Sequence, residues 1–495
     1  MAIDVSDFKK EVRSQIIDLA RLLYGREPER WWIKSVKNGR THLRNTLNIL
    51  VKGRANYALM KNVIKAYAQI GFRNIQSLLF LQVRLVDEMG EVVKKNKVPE
   101  KESQLFKRKW EKPFFSLPEA EESDGMTSYE RFNRAVDLKE ADRIPFTPLM
   151  DYYYSGNEAV RMSPMEFVLG PFEKVFNAVK NTYNKFNGIF DMVHLPMGRL
   201  YAFINMLPLG PSGYYSELFY PDDIPSSMQF IEKGYIDVKD FERIKKDGLR
   251  SIWRPISLKK ISDTQTDLIK IGKYINYWEN IKKVPIYATS GIVTPAEGLN
   301  YLMGITNFAK AIRKNREEIK EICDLLLKGT MANNYMMYAF TQVKRTYICL
   351  ERVSATFISP RNFEYFVLDN LLDMVKENVR HGLTTVFHMD TDWTPFFHYF
   401  LEFPKNGKYI LHLEDSDIYK AKEMLGHRFC IMGNIQTKLL RFGTEQQIID
   451  KTKELIDGCK EGGGYMMAEG CEVAPDTPIN KMKVWIDTTL KYGQY

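Results

Sequence analysis

The stretch Phe387-His388-Met389-Asp390-Thr391-Asp392-Trp393 places an imidazole and two carboxylates at alternate positions. Side chains in extended chain repeat every two residues, so all three can face one side. A catalytic Zn²⁺ takes three protein ligands from His, Cys, Asp or Glu and keeps one position open. Cys471, in Ala468-Glu469-Gly470-Cys471-Glu472, could complete such a set from a second loop. The same residues also fit a plainer reading, in which His388 is a hydrogen-bonded core histidine and Cys471 an inert buried thiol.

What could bring two loops together is an array of parallel strands. From Met126 onward, short apolar runs of strand composition alternate with longer helical stretches, the pattern of βαβ units. Eight runs stand out: Ile144 to Met150, Ile189 to His194, Pro285 to Ser290, Tyr347 to Glu351, Thr384 to His388, Tyr409 to Leu413, Cys430 to Asn434 and Tyr465 to Ala468. Eight is the number of the (β/α)8 TIM barrel, whose chemistry sits at the C-terminal strand ends. A doubly wound sheet is the structural alternative. Interval 195–284 must hold an insertion, with Tyr214 to Tyr220 read as a hairpin in it.

The strand ends are far more polar than the strands. They carry Asp151 and Tyr152, His194, Thr289 and Ser290, Glu351 and Arg352, His388 with Asp390 and Asp392, His412 with Glu414 and Asp415, Asn434, and Glu469 with Cys471. Glu351 and Arg352 are adjacent, so at most one is expected to point into the mouth. His194 and His412 stand singly and fit hydrogen-bonded spacers. Tyr152-Tyr153-Tyr154 could wall a flat ligand or simply pack a loop. Gly462-Gly463-Gly464 lacks the context of a phosphate loop and reads as the turn before the last strand.

Composition bounds the remaining classes. A chain of 495 residues with 44% hydrophobic and 27% charged residues folds around a core. Five cysteines without CxxC spacing argue against a disulfide framework. No run of 18 apolar residues exists and the first ten residues are polar, so a cytoplasmic protein without a membrane segment is expected. Residues 1–110 hold 23 Lys+Arg against 11 Asp+Glu, which leaves them at +12 in a chain of net +9. A solvated lysine-rich face explains this better than a nucleic-acid site. Apolar residues at helical spacing, such as Val12, Ile16, Leu19 and Leu23, predict an all-helical domain over 1–95. A proline- and charge-rich linker over 96–125 and a barrel over 126–495 follow it.

Short segments stand out along the second part of the chain: Arg131-Phe132-Asn133-Arg134-Ala135, Ala141-Asp142-Arg143-Ile144-Pro145, Ile358-Ser359-Pro360, Phe387-His388-Met389-Asp390, Met432-Gly433-Asn434-Ile435, Gly463-Gly464-Tyr465 to Cys471, Asp476-Thr477-Pro478 and Lys491 to Tyr495. Together they resemble the uroporphyrinogen decarboxylase superfamily, which includes zinc- and corrinoid-dependent methyltransferases of the methylcobalamin:coenzyme M methyltransferase type. All occur in family order, and residues 1–125 lie outside the resemblance.

The resemblance also carries expectations about chemistry. Decarboxylase members hold substrate carboxylates with an Arg-Gln-Ala-Gly-Arg stretch, and Pro148 to Gly156 has no arginine. Methyltransferase members bind zinc through His-x-Cys after the fifth strand and a Cys after the eighth. Here His388 and Cys471 match, while Asp390 stands where the family has its first Cys. An oxygen ligand makes the metal a stronger Lewis acid. The implied function is therefore methyl transfer between a small substrate (methoxy, methylamine or thiol) and a corrinoid, or cobalamin, carried by a partner protein. Metal ligands would be His388, Asp390 and Cys471, with a water, a substrate heteroatom or Glu351 as the fourth. Asp392, Glu351 and Glu469 are the candidate proton donors, and Tyr152, His194 and Asn434 the candidate cofactor contacts. A homo-oligomer is compatible with this. A metal-free decarboxylase or lyase would need pocket cations, for which Arg352 and Arg199 are the nearby candidates; a non-enzymatic scaffold is the third reading.

Overall fold

The computed structural model describes residues 125–150, 172–194, 234–247, 272, 274–289 and 291–495, together with the backbone of four strands before residue 96. Two compact units divide the chain, one formed by 1–120 with 335–342 and the other by 121–334 with 343–495.

Over residues 1–95 the described chain is strand rather than the expected helix. A four-stranded sheet runs in the order β1 (Arg30–Asn38), β2 (His42–Leu50), β3 (Leu81–Val86) and β4 (Val92–Lys95). Strand β2 alternates apolar Leu43, Leu47 and Ile49 with polar Arg44, Thr46 and Asn48, a period of two rather than 3.6. Strand β1 is rich in aromatic and β-branched residues, and Asn38-Gly39 is a strong hairpin signal. Accordingly β1 and β2 pair antiparallel, from Arg30 opposite Leu50 to Asn38 opposite His42. The helical periodicity around Val12 lies outside the described residues.

The second unit carries the predicted parallel array. Six strands lie side by side: β5 (Gly291–Val293), β6 (Arg345–Leu350), β7 (Thr384–Met389), β8 (Lys408–Leu413), β9 (Cys430–Ile435) and β10 (Tyr465–Glu469), all parallel. Single bridges close the ring. Phe146 pairs parallel with Met467 of β10, and Val193 pairs parallel with Ile286. Asp191 N donates to Phe146 O at 2.8 Å, and Arg345 Nε reaches Ile286 O at 2.6 Å. The first three predicted runs are thus barrel staves, but each bonds its neighbours over one or two residues rather than along a ladder. Helices separate the staves, among them Phe172–Lys185, Arg316–Thr341, Asp369–Arg380, Ile418–Leu425, Glu445–Cys459 and Ile479–Tyr492.

Two sorts of contact hold the ring. Inside it, alternate strand residues such as Val386, Ile410, Met432, Met466 and Ala468 form one core with Leu149, Met192 and Tyr287. Outside it, Phe387 of β7 packs edge-on against Phe400, 5.8 Å between ring centroids, and Tyr409 stacks on Phe429 at 4.9 Å. At its base, wholly buried Asp191 accepts from Arg131 Nη1 at 2.5 Å, Arg143 Nη1 at 2.6 Å and Phe146 N at 2.8 Å. Arg131 also grips Asp142 through Nε and Nη2, both at 2.6 Å. Two arginines, two carboxylates and a backbone amide thereby tie the first helix, Ser128–Val136, to the first two staves. No helix among the described residues is long and apolar enough to cross a membrane.

Candidate metal centre

Strand β7 delivers the first two residues of the centre. Its period of two sends Val386, His388 and Asp390 to the barrel interior, while Phe387 and Met389 face the helical layer. The alternation stops at Thr391, whose φ of 65° is left-handed. Asp392 is turned away as a result, and its Oδ1 accepts from Thr394 N at 2.8 Å at the start of a short 3-10 turn. The expected His-x-Asp-x-Asp face therefore shortens to His388 and Asp390.

Cys471 arrives from the far side of the ring, two residues past β10. Its Sγ lies 3.6 Å from His388 Nε2, and Asp390 Oδ1 lies 3.2 Å from the same nitrogen. One ligand atom from each of the three falls within 4.8 Å of the others. Asp390 Oδ1 is buried, and no well-directed hydrogen bond reaches it. An imidazole nitrogen, a thiol sulfur and a carboxylate oxygen converging with one oxygen unsatisfied fit a three-ligand zinc site with an open position. Burial opposes charge on His388, but the adjacent Asp390 carboxylate overrides it and raises the imidazole to about 9. Burial pushes Asp390 up, and His388 with the Cys471 thiol more than offsets this. The Cys471 thiol is driven far above its ordinary range by burial and by Asp390. A cation in this pocket would replace protons that now balance the site.

A ring of other polar groups surrounds the three. His412 of β8 is opposite His388, with the two Nδ1 atoms 3.2 Å apart. Glu351, just past β6, accepts from the Tyr301 hydroxyl and the Cys349 thiol. Burial and the nearby Asp390 raise the Glu351 carboxyl. Glu414 accepts from Thr391 N at 2.8 Å and is raised by burial and Asp390 as well. Both carboxyls are thereby biased toward the protonated form. Glu297, in the helix Pro295–Met303, is wholly buried and accepts from Arg352 N at 2.7 Å. Burial and Glu351 hold its carboxyl strongly toward the protonated form.

The other predicted site residues have distinct places. Glu469 is wholly buried, and its Oε1 accepts from Leu149 N at 2.6 Å, across the seam where the ring closes. Asn434 uses Nδ2 to hold Glu414 O at 3.0 Å and Ser416 O at 3.1 Å, which fixes the loop after β8. His194 is buried at the end of the second stave, edge-on to Tyr287 with 5.5 Å between centroids. Arg352 lies over the Tyr301 ring, 5.1 Å from its centroid. Asp415 is exposed. Tyr152 and Arg199 lie outside the described residues, as does the hairpin expected over Tyr214 to Tyr220. Sequence reasoning missed Tyr287, Tyr301, Cys349 and Glu297. The first and third occupy inward parities of predicted strands, which was the available signal. Glu297 sits three residues after Thr294, where an acidic residue ordinarily marks only a helix start.

The sequence model of uroporphyrinogen decarboxylase (URO-D) matches residues 245–492. The chain belongs to the uroporphyrinogen decarboxylase family. Among solved structures, a methyltransferase from Methanosarcina mazei resembles it with a TM-score of 0.54 at 18% identity, covering 74% of this chain and 99% of that one. No curated protein matches the sequence. The family's barrel fold agrees with the closed ring seen here, and His388, Asp390 and Cys471 stand at the strand ends where such barrels place their chemistry.

Proposed function

We propose that this member of the uroporphyrinogen decarboxylase family is a zinc-dependent methyltransferase, moving a methyl group between a small substrate and a corrinoid carried by a partner protein. The convergence of His388, Asp390 and Cys471 from opposite sides of the barrel mouth carries this reading. The likeness to a methyltransferase barrel supports it. Zinc held by these three residues would supply a Lewis acid for an oxygen, nitrogen or sulfur atom of the substrate. The corrinoid would supply the cobalt that gives or takes the methyl group.

The chain's own groups divide the remaining work. His388, Asp390 and Cys471 would hold the metal. Glu351 and Glu414, whose carboxyls burial biases toward protonation, stand ready to give a proton to a departing heteroatom. Tyr301 and Cys349 fix the Glu351 carboxyl in place. A methoxy, methylamine or thioether carbon fits an oxygen-bearing ligand set better than a set made of thiolates alone, because the metal stays a stronger Lewis acid.

Zinc per chain in protein purified without added metal tests the proposal, with His388→Ala/Cys471→Ala as the comparison. About one zinc in the wild type and none in the double variant is expected for a three-ligand site. A corrinoid methyl-transfer assay against methoxy, methylamine and thiol compounds then identifies the substrate. Absence of zinc from the wild type, even after incubation with the metal, would overturn the reading and favour metal-free decarboxylase or lyase chemistry.

A further inference from the structure

We infer that His412 is a positioning residue that sets the tautomer of His388, so that the Nε2 lone pair of His388 faces Asp390 and Cys471. This rests on the zinc reading above and concerns how the chain prepares its imidazole ligand.

Hydrogen-bond arithmetic carries the argument. His412 Nε2 lies 2.8 Å from Glu469 O. A carbonyl oxygen only accepts, so the proton belongs to His412 Nε2. His412 is wholly buried, and its two ring nitrogens face a carbonyl, a phenol and a second imidazole. In a neutral ring the proton on Nε2 leaves the lone pair on Nδ1. His412 Nδ1 is then an acceptor, and two donors lie near it: Tyr287 Oη at 3.3 Å and His388 Nδ1 at 3.2 Å. For the second contact to be a hydrogen bond, His388 must carry its proton on Nδ1. The only lone pair left on neutral His388 is on Nε2, the atom 3.2 Å from Asp390 and 3.6 Å from Cys471.

The chain Glu469 C=O, His412, His388 thus delivers a defined lone pair to the centre. It is anchored on β10, the same strand that leads to Cys471, so one strand supplies both a ligand and the support of another. Orienting partners of this kind typically change metal affinity by about 10–100-fold when removed.

Three variants and one spectrum test the inference. Zinc dissociation constants are measured by chelator competition for wild type, His412→Leu, His412→Asn and Tyr287→Phe. Leucine removes the acceptor, and a loss of about 10–100-fold is expected. Asparagine keeps an oxygen able to accept from His388 Nδ1 and should restore most of the affinity. Tyr287→Phe leaves the His388 contact intact and should bind within a few-fold of wild type. In ¹⁵N-histidine-labelled, zinc-loaded wild type, His388 should show a protonated Nδ1 and a metal-bound Nε2. If His412→Leu does not fold, the spectrum and the asparagine variant still decide. Equal affinity of wild type and His412→Leu, a His412→Asn as weak as leucine, or ligation through Nδ1 would each overturn the inference. Failure of the wild type to bind zinc would instead overturn the functional reading.

Discussion

Replacing Asp191 by alanine isolates what the barrel base contributes. The carboxylate is wholly buried and accepts from two guanidiniums and the Phe146 amide. Removing one partner of a buried charge pair costs about 3–5 kcal/mol, because the other charge is left uncompensated. Arg131 keeps Asp142 as a counter-ion, so the lower part of that range applies to it; Arg143 loses both of its contacts to carboxylate oxygens. An orphaned amide adds about 1–3 kcal/mol. A total of about 4–8 kcal/mol is expected from these two sources. With an unfolding entropy of ~2.1 cal/mol/K per residue over a barrel of roughly 370 residues, that corresponds to a fall in Tm of about 5–10 °C. Calorimetry on metal-free protein measures it, alongside Asp191→Asn, which keeps the acceptor for Phe146 N and loses only the charge. A shift below about 1 °C for alanine would show that the arginines find other partners, and the reasoning from buried pairing would be wrong.

Asp142 gives the pH counterpart. Burial raises its carboxyl, but the Arg131 hydrogen bond and charge override this and hold it below the usual range. A depressed folded pKa contributes stability that is complete above the ordinary carboxylate range and lost as pH falls through the folded value. Asp142→Asn should lower Tm at neutral pH and flatten the acid limb of the stability curve, so that variant and wild type converge as pH falls, as read by Tm against pH. Asp390→Ala should lower zinc occupancy without unfolding the barrel; unchanged metal content would remove Asp390 from the ligand set. Excess zinc should stabilise the wild type by about 2.7 kcal/mol at 100 times Kd and so raise its Tm, with no rise in His388→Ala/Cys471→Ala. Gly463→Ala should destabilise strongly, since φ there is 74° and a Cβ would come within 2.4 Å of Lys139 C. A Gly463→Ala protein with unchanged Tm would contradict that contact.

Much of the barrel was legible because its signals are local. Val386, His388 and Asp390 announce an inward face by parity, and Cys430 to Asn434 and Tyr465 to Ala468 lie within β9 and β10. Arg131 and Arg143, met first within a family likeness, prove to be the cationic half of the knot around Asp191. Their partner was not legible, because nothing in Asp191's own neighbourhood distinguishes it from a strand-end carboxylate. Parity alone also extended the metal face to Asp392, since a left-handed residue at Thr391 leaves no mark in composition. The His388–His412 contact depends on strand register, which sequence spacing does not specify. The N-terminal strands were missed because helical spacing elsewhere in that region was extended across the alternation in His42–Leu50.

Closing the ring joins positions 320 residues apart: Thr147 with Met467, and Leu149 with Glu469. On a ribosome adding about 5–20 residues per second, the first stave therefore waits roughly 15–65 seconds for its partner. Its other neighbour comes far sooner, since Asp191 follows Arg131 by only 60 residues and Arg143 by 48. Charge at the base can thus hold the early staves together while one edge stays open. That open edge is the aggregation-prone face of the nascent chain, and loss of the Asp191 knot should reduce the yield of folded protein in cells by more than its effect on Tm suggests.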